Sequence, residues 1–207
     1  QGVKVGFLGF TSVFPPEASA GPGKPGLATV RVNTEYEGRG PHAPVRVLTT
    51  ANEDDLKRVV AAVHALREKV DVVIPVFHWG VVWAPRIISD YQVALAHACV
   101  DAGADLVLGH HAHIPKAIEV YRGKAIFYSL SQFCMTKAKA SHHWSEAPWK
   151  HGAIRNHADL AEDRPLFPYG VDAKMSLLAK AVLSRKGVER VSFLPMEIDR
   201  EYRPEVL

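Results

Sequence analysis

Four histidines stand at the ends of two apolar runs. His78 closes Val70-Asp71-Val72-Val73-Ile74-Pro75-Val76-Phe77, and His110, His111 and His113 follow Leu106-Val107-Leu108-Gly109. Short continuous apolar runs of this kind read as strands buried on both faces. Ligands in α/β sheets bind beyond the carboxyl ends of such strands. Neutral imidazole is the commonest side-chain metal ligand and suits zinc, iron, manganese or nickel. In an extended stretch His111 and His113, two residues apart, point the same way. That arrangement chelates one ion or reaches two adjacent ones. A dinuclear hydrolytic site also needs carboxylates to bridge and balance the metals. None stands beside these histidines: Asp71 and Asp105 sit at the strand beginnings, and Asp101 near a helix end. Either the site is mononuclear and His-rich, or its carboxylates lie upstream of Gln1.

The elements that must position these residues follow from periodicity. Val3–Leu8 reads as a buried strand, and the chain entering it without a lead-in leads us to expect residues upstream. The Pro/Gly-rich stretch over 11–50 reads as irregular, with one short strand at 27–32. A helix is predicted from an Asn52 cap to about residue 69, with Leu56, Val59, Val60, Val63 and Leu66 on one face. A second covers 89–102, capped by Ser89, with Tyr91, Ala94, Leu95 and Ala98 inward and Gly103 at its end. Two hairpins follow, 117–121 with 124–128 and 175–183 with 188–198. Strands alternating with helices, then hairpins, indicate a layered α/β domain with a mixed sheet.

Composition narrows the class. The chain has 207 residues, 47% hydrophobic and 23% charged, as in a globular domain. A net charge of +3, with scattered basic residues, does not point to nucleic acid. No apolar run approaches the ~20 residues of a membrane helix. Two cysteines, Cys99 and Cys134, exclude a disulfide framework and leave the compartment open. Cys99 reads as a small core residue and Cys134 as a loop thiol.

Taken in order, several segments carry a resemblance: Gly2-Val3-Lys4-Val5-Gly6-Phe7-Leu8-Gly9, His78-Trp79-Gly80, Tyr91-Gln92, Asp101-Ala102-Gly103-Ala104-Asp105, Gly109-His110-His111-Ala112-His113 and Gly123-Lys124-Ala125-Ile126-Phe127-Tyr128-Ser129-Leu130, with a tail that fits from Pro195 to Pro204. The chain resembles the C-terminal part of the CapA-type family of poly-γ-glutamate capsule synthesis, which looks like a branch of the calcineurin-like metallophosphoesterases. The resemblance is weak over 11–50 and 134–170. It implies an αββα sandwich with mixed sheets whose N-terminal portion precedes this chain, 1–207 forming one domain and 134–170 a lid or irregular insertion. It implies His78, His111 and His113 as ligands of one or two divalent metal ions (Mn, Fe or Zn), and His110 as an outer or substrate-contacting group. It implies a hydrolase acting on a phosphoester, or on an amide or ester of a carboxylate-rich substrate. The alternative is a non-catalytic polymer-binding or assembly component. Either role takes an anionic small-molecule or polymer partner, and the capsule role implies a membrane anchor outside the visible chain. The family's Gly-Asp and Asn-Asn-His motifs, which precede the opening strand, have no counterpart here, so no catalytic residue is assigned.

Substrate contacts are expected from Trp79, Arg86, Tyr128, Ser129 and Gln132. Arg86 reads equally as an ordinary arginine at a helix start. Where the family commonly reads Tyr-Ser-Leu-Gly-Asn-Phe, this chain has Tyr128-Ser129-Leu130-Ser131-Gln132-Phe133. Losing glycine removes an easy φ > 0 position, which suggests a reshaped loop. His142, His143, His151 and His157, with Trp144 and Trp149, suggest a lid over the site. His42 and His64 read as surface residues, and His97 as solvated.

Overall fold

The computed structural model describes residues 2–134 and 171–207. The segment expected to form a lid, with its four histidines and two tryptophans, lies outside the described residues, apart from the exposed Cys134.

Strand β1 (Val5–Thr11) is followed by a single 3-10 turn at Pro16–Ala18, then by β2 (Val32–Glu37) and β3 (Arg46–Ala51). These two pair antiparallel as a separate two-stranded ribbon. The stretch expected to be irregular thus holds a hairpin, and of the strand expected at 27–32 only isolated bridges at Leu27 and Thr29 and the first residue of β2, Val32, are found. The ribbon escaped the pattern because both its strands are largely exposed and carry no apolar alternation.

Helix α1 (Glu53–Arg67) starts where the cap predicts: the Asn52 side chain accepts the Asp55 N–H. Val59 and Val63 are buried, and Leu56, Val60 and Leu66 pack partly against the same core. Strand β4 (Val72–His78) follows, then α2 (Asp90–Asp101). Its buried stripe runs through Tyr91, Gln92, Leu95, Ala96, Cys99 and Val100. Ala94, expected inward, is exposed. The stripe follows the i, i+4, i+8 row 91–95–99, which turns Ala94 outward. Gln92 is buried because its Oε1 accepts the Ser89 N–H at 3.0 Å.

Strand β5 (Leu106–His110), the hairpin β6 (Ile118–Tyr121) and β7 (Lys124–Phe127), a 3-10 turn at Val171–Lys174, and then β8 (Met175–Ser184), β9 (Gly187–Ile198) and β10 (Pro204–Val206) complete the described elements. The central sheet has the order β1-β4-β5-β7-β6, parallel except for β6, and a second, antiparallel sheet has the order β10-β9-β8.

Strand alternation sorts the central sheet into two cores. Val73, Phe77, Val107 and Ile126 face α1 and α2. Val72, Ile74, Leu106 and Phe127 face the second sheet, against Ala179, Ala181, Leu183, Val188 and Val191. The described residues therefore build an α/β sandwich of three layers: helices, mixed sheet and antiparallel sheet.

Asp105 ties the helix layer to the mixed sheet. It accepts from Val73 N–H (3.0 Å), Lys124 Nζ (2.8 Å) and Arg67 Nη1 (2.5 Å). Burial pushes its carboxyl up, but Lys124, the Val73 N–H and Arg67 outweigh burial and hold it below the usual value. Asp105 is thus a structural hub at the opposite end of β5 from the histidines.

Candidate functional site

Register places the histidines. β4 and β5 pair in parallel, and His78 sits opposite His110 at the last rung. His78 shares the parity of Val72, Ile74 and Val76, and His110 that of Leu106 and Leu108, so both belong to the face toward the second sheet. Beyond this rung the chain turns. His111 and His113 have φ of 92° and 56°, so the stretch is not extended as expected. The left-handed backbone brings His111 back against His78, with ring centroids 4.5 Å apart. His113 lies 6.2 Å from His111 and 6.4 Å from the Trp83 ring.

All four imidazoles are held toward the neutral form. Burial lowers the pKa of His78 and, more strongly, that of His111, to about 4; the neighbouring His78 and His113 add to the effect on His111. Burial and His78 lower His110 as well. Burial lowers His113, and a hydrogen bond from its ring to the Gln132 side chain opposes part of that shift. Neutral rings in mutual contact are donors of the right kind for a borderline metal. Among the described residues, however, no group of three or more His, Cys, Asp or Glu side chains is arranged to hold an ion. The rings fit part of a donor set, and a complete set requires a further ligand.

Two of the expected substrate contacts lie in the helix-side core. Trp79 follows His78 by one residue, so alternation turns it to the opposite face. It is fully buried, stacked on Phe77 at 4.4 Å, and its Nε1 donates to Tyr128 O at 3.0 Å. Tyr128 is also buried, and its hydroxyl donates to Glu119 Oε2 at 2.6 Å. Both are packing residues, a correction to the sequence reading. Ser129 has the site's parity but is fully buried, with Oγ accepting the Ser131 N–H at 3.2 Å. Gly109 permits this packing, because a Cβ there would lie 2.2 Å from Tyr128 O and 2.5 Å from Trp79 Nε1.

Ser131 occupies the position where glycine was missed, and its φ is 67°. The residue that stands in the glycine's place thus adopts the left-handed backbone in spite of its side chain. Its Oγ is buried with no hydrogen-bond partner among the described residues. Gln132 Nε2 donates to Ala173 O at 3.1 Å, so the Gln132 amide links His113 to the turn before β8.

Arg86 is exposed and has φ 63°. It lies in a turn ahead of α2, not at the helix start. His97, expected to be solvated, is half-buried: its ring stacks on Tyr121 at 3.7 Å and its Nε2 lies 2.9 Å from Glu119 Oε1. His42 and His64 are exposed, as read.

Three further groups position this edge; of them the sequence marked only Tyr91, as an inward helix residue and a point of family resemblance. Tyr91 OH accepts the Gly80 N–H at 2.6 Å and lies 2.8 Å from Ser12 Oγ, tying the ends of β1 and β4 together. Trp83 N–H donates to Ala112 O at 3.0 Å. Lys116 is buried and donates to Ala84 O and to Ile87 O (3.1 Å).

The fold and this edge define an α/β sandwich protein with a histidine cluster at the carboxyl end of its mixed sheet. Residues 1–137 match the family described as bacterial capsule synthesis protein PGA_cap, and the chain belongs to that family. The tail beyond 137 lies outside the matched residues. The chain is 36% identical over 133 residues to capsule biosynthesis protein CapA of Bacillus anthracis, covering 64% of this chain and 27% of the relative. It is 45% identical over 67 residues to PGA biosynthesis protein CapA of Bacillus subtilis, covering 32% and 17%. It is 42% identical over 78 residues to the probable polyglutamine synthesis accessory protein Rv0574c of Mycobacterium tuberculosis, covering 38% and 20%. The chain therefore spans about a quarter or less of these relatives. A hypothetical protein of known structure from Thermus thermophilus aligns over 86% of this chain and 64% of its own, at 16% identity and a TM-score of 0.39. A likeness at that level carries no argument about function.

Proposed function

We propose that this chain carries the histidine part of a metal-dependent hydrolase site that acts on an anionic substrate linked to poly-γ-glutamate capsule metabolism. The observation that supports it is the contact of His78 with His111 at neighbouring strand ends, both rings held neutral. His78, His111 and His113 would hold one or two divalent ions such as Mn, Fe or Zn, with the remaining ligands supplied from outside the described residues. A metal there supplies Lewis-acid activation of water and of the scissile group. The scissile bond is a phosphoester, or an amide or ester of a carboxylate-rich substrate. His110 stands beside the ligands as an outer or substrate-contacting group.

The test is metal content per chain, by elemental analysis of the full-length protein purified without a histidine tag. One or two equivalents, lost on His111→Ala, are expected. A folded wild type without metal overturns the hydrolase reading.

A second reading is a non-catalytic polymer-binding or assembly role. It is favoured by the lack, among the described residues, of a ready group of three metal-binding side chains, and by the name "accessory protein" carried by the mycobacterial relative. On that reading polymer binding persists after His111→Ala.

A further inference from the structure

The turn that carries Arg86 combines two unfavourable choices. Ala84-Pro85-Arg86-Ile87 closes with Ile87 N–H donating to Ala84 O at 3.5 Å. Proline at the second position and positive φ at the third is the type II pattern, in which the third residue is ordinarily glycine or asparagine. Arginine holds that place here, at φ 63°. Beneath it, Lys116 is 9% exposed, and its ammonium donates to the two carbonyls that bound the turn, Ala84 O and Ile87 O. A buried cation satisfied by peptide carbonyls is a costly way to tie down a loop, which an apolar contact would do for less. The Trp83 N–H to Ala112 O bond attaches the same loop to the histidine turn. Strain and a buried charge thus meet at one exposed arginine, three residues from the residue that touches the site. Strained residues gather where function requires them.

We propose that Lys116 is a positioning residue for Arg86, and that the turn it holds is an oxyanion-recognition element beside the histidine cluster, taking a phosphate or carboxylate group of the substrate. The inference deepens the reading of the substrate as anionic and rests on it. A guanidinium suits either group, because its fork of donors matches two oxygens.

The experiment uses the full-length protein with two probes, inorganic phosphate and glutarate, which separate the two oxyanion sources. It compares wild type with Arg86→Gln, Lys116→Met and the double variant by calorimetry. Each single variant is expected to weaken the preferred probe about tenfold, and the double variant no further than Arg86→Gln alone. In parallel, tryptic cleavage of the Arg86–Ile87 bond, followed by mass spectrometry, is expected to be faster in Lys116→Met than in wild type. This second readout reports on the turn and is independent of any activity.

Wild-type cleavage and wild-type affinity in Lys116→Met overturn the proposal, as do fold-changes that multiply in the double variant. Should Lys116→Met fail to fold, Pro85→Ala loosens the same turn with Lys116 in place. It should weaken the same probe and speed the same cleavage, and unchanged values overturn the proposal. A wild type that binds neither probe overturns it whatever its metal content. A metal-free wild type that binds a probe through Arg86 removes the hydrolase reading and keeps this one.

Discussion

His78 and His111 touch, with ring centroids 4.5 Å apart, although the register partner of His78 is His110. The left-handed φ of His111 makes the exchange: the chain overshoots the ladder by one residue and folds back. The ring that meets His78 therefore comes from a turn, and the ladder only sets where that turn begins.

The contact predicts which histidines matter for metal retention. His78→Ala and His111→Ala should each lower affinity for a divalent ion by about tenfold or more, as loss of a ligand does. His97→Ala, on a ring held by Glu119 and Tyr121, should leave affinity unchanged. Titration of the apo protein with zinc or manganese checks all three.

The neutral His111 ring predicts acid sensitivity of the metal-free protein. Its folded-state pKa of about 4 lies below the ordinary 6.5. Above 6.5 the ring is neutral in both states. As pH falls from 6.5 toward 4, the unfolded chain takes up a proton that the folded one refuses, so stability declines. Below 4 both forms are protonated and this slope ends. Melting temperature measured across that window should fall, and His111→Ala should flatten the decline.

Ser131→Gly should stabilise the protein by about 1 kcal/mol by relieving a left-handed non-glycine residue. The substitution also removes a buried hydroxyl that has no hydrogen-bond partner among the described residues. Urea unfolding of the two proteins measures the difference.

Gly109→Ala should destabilise by about 3 kcal/mol or more, since the new methyl meets backbone and an indole that cannot both retreat. Trp79→Phe should cost about 1–3 kcal/mol, through the lost bond to Tyr128 O and looser packing. It should leave probe binding intact, because the indole faces the helices. Denaturant unfolding and calorimetry on the same samples separate the two effects.

Much of the frame was legible because it repeats. β4, β5, α1 and both later hairpins announced themselves by apolar runs, caps and turn residues, and the histidines marked the candidate site at the carboxyl edge of the sheet. What escaped is non-repeating. β2 and β3 bury no residue fully and leave no apolar signature. Trp79 looked like a substrate platform because it follows His78, yet in a strand adjacency in sequence means opposite faces. The positive φ of His111, His113 and Ser131 has no mark in the sequence, since none of the three is a glycine. Lys116 is spaced like any surface lysine, and only its tertiary partners show its burial.

The Asp105 hub immediately precedes strand β5, which ends at His110. Five steps of about 3.3 Å separate the two by ~17 Å. The charges that act on the imidazoles come from the neighbouring histidines and not from the Asp105 hub. Ion pairing around Arg67, Asp105 and Lys124 can be strengthened or redrawn without retuning the protonation of the histidine edge.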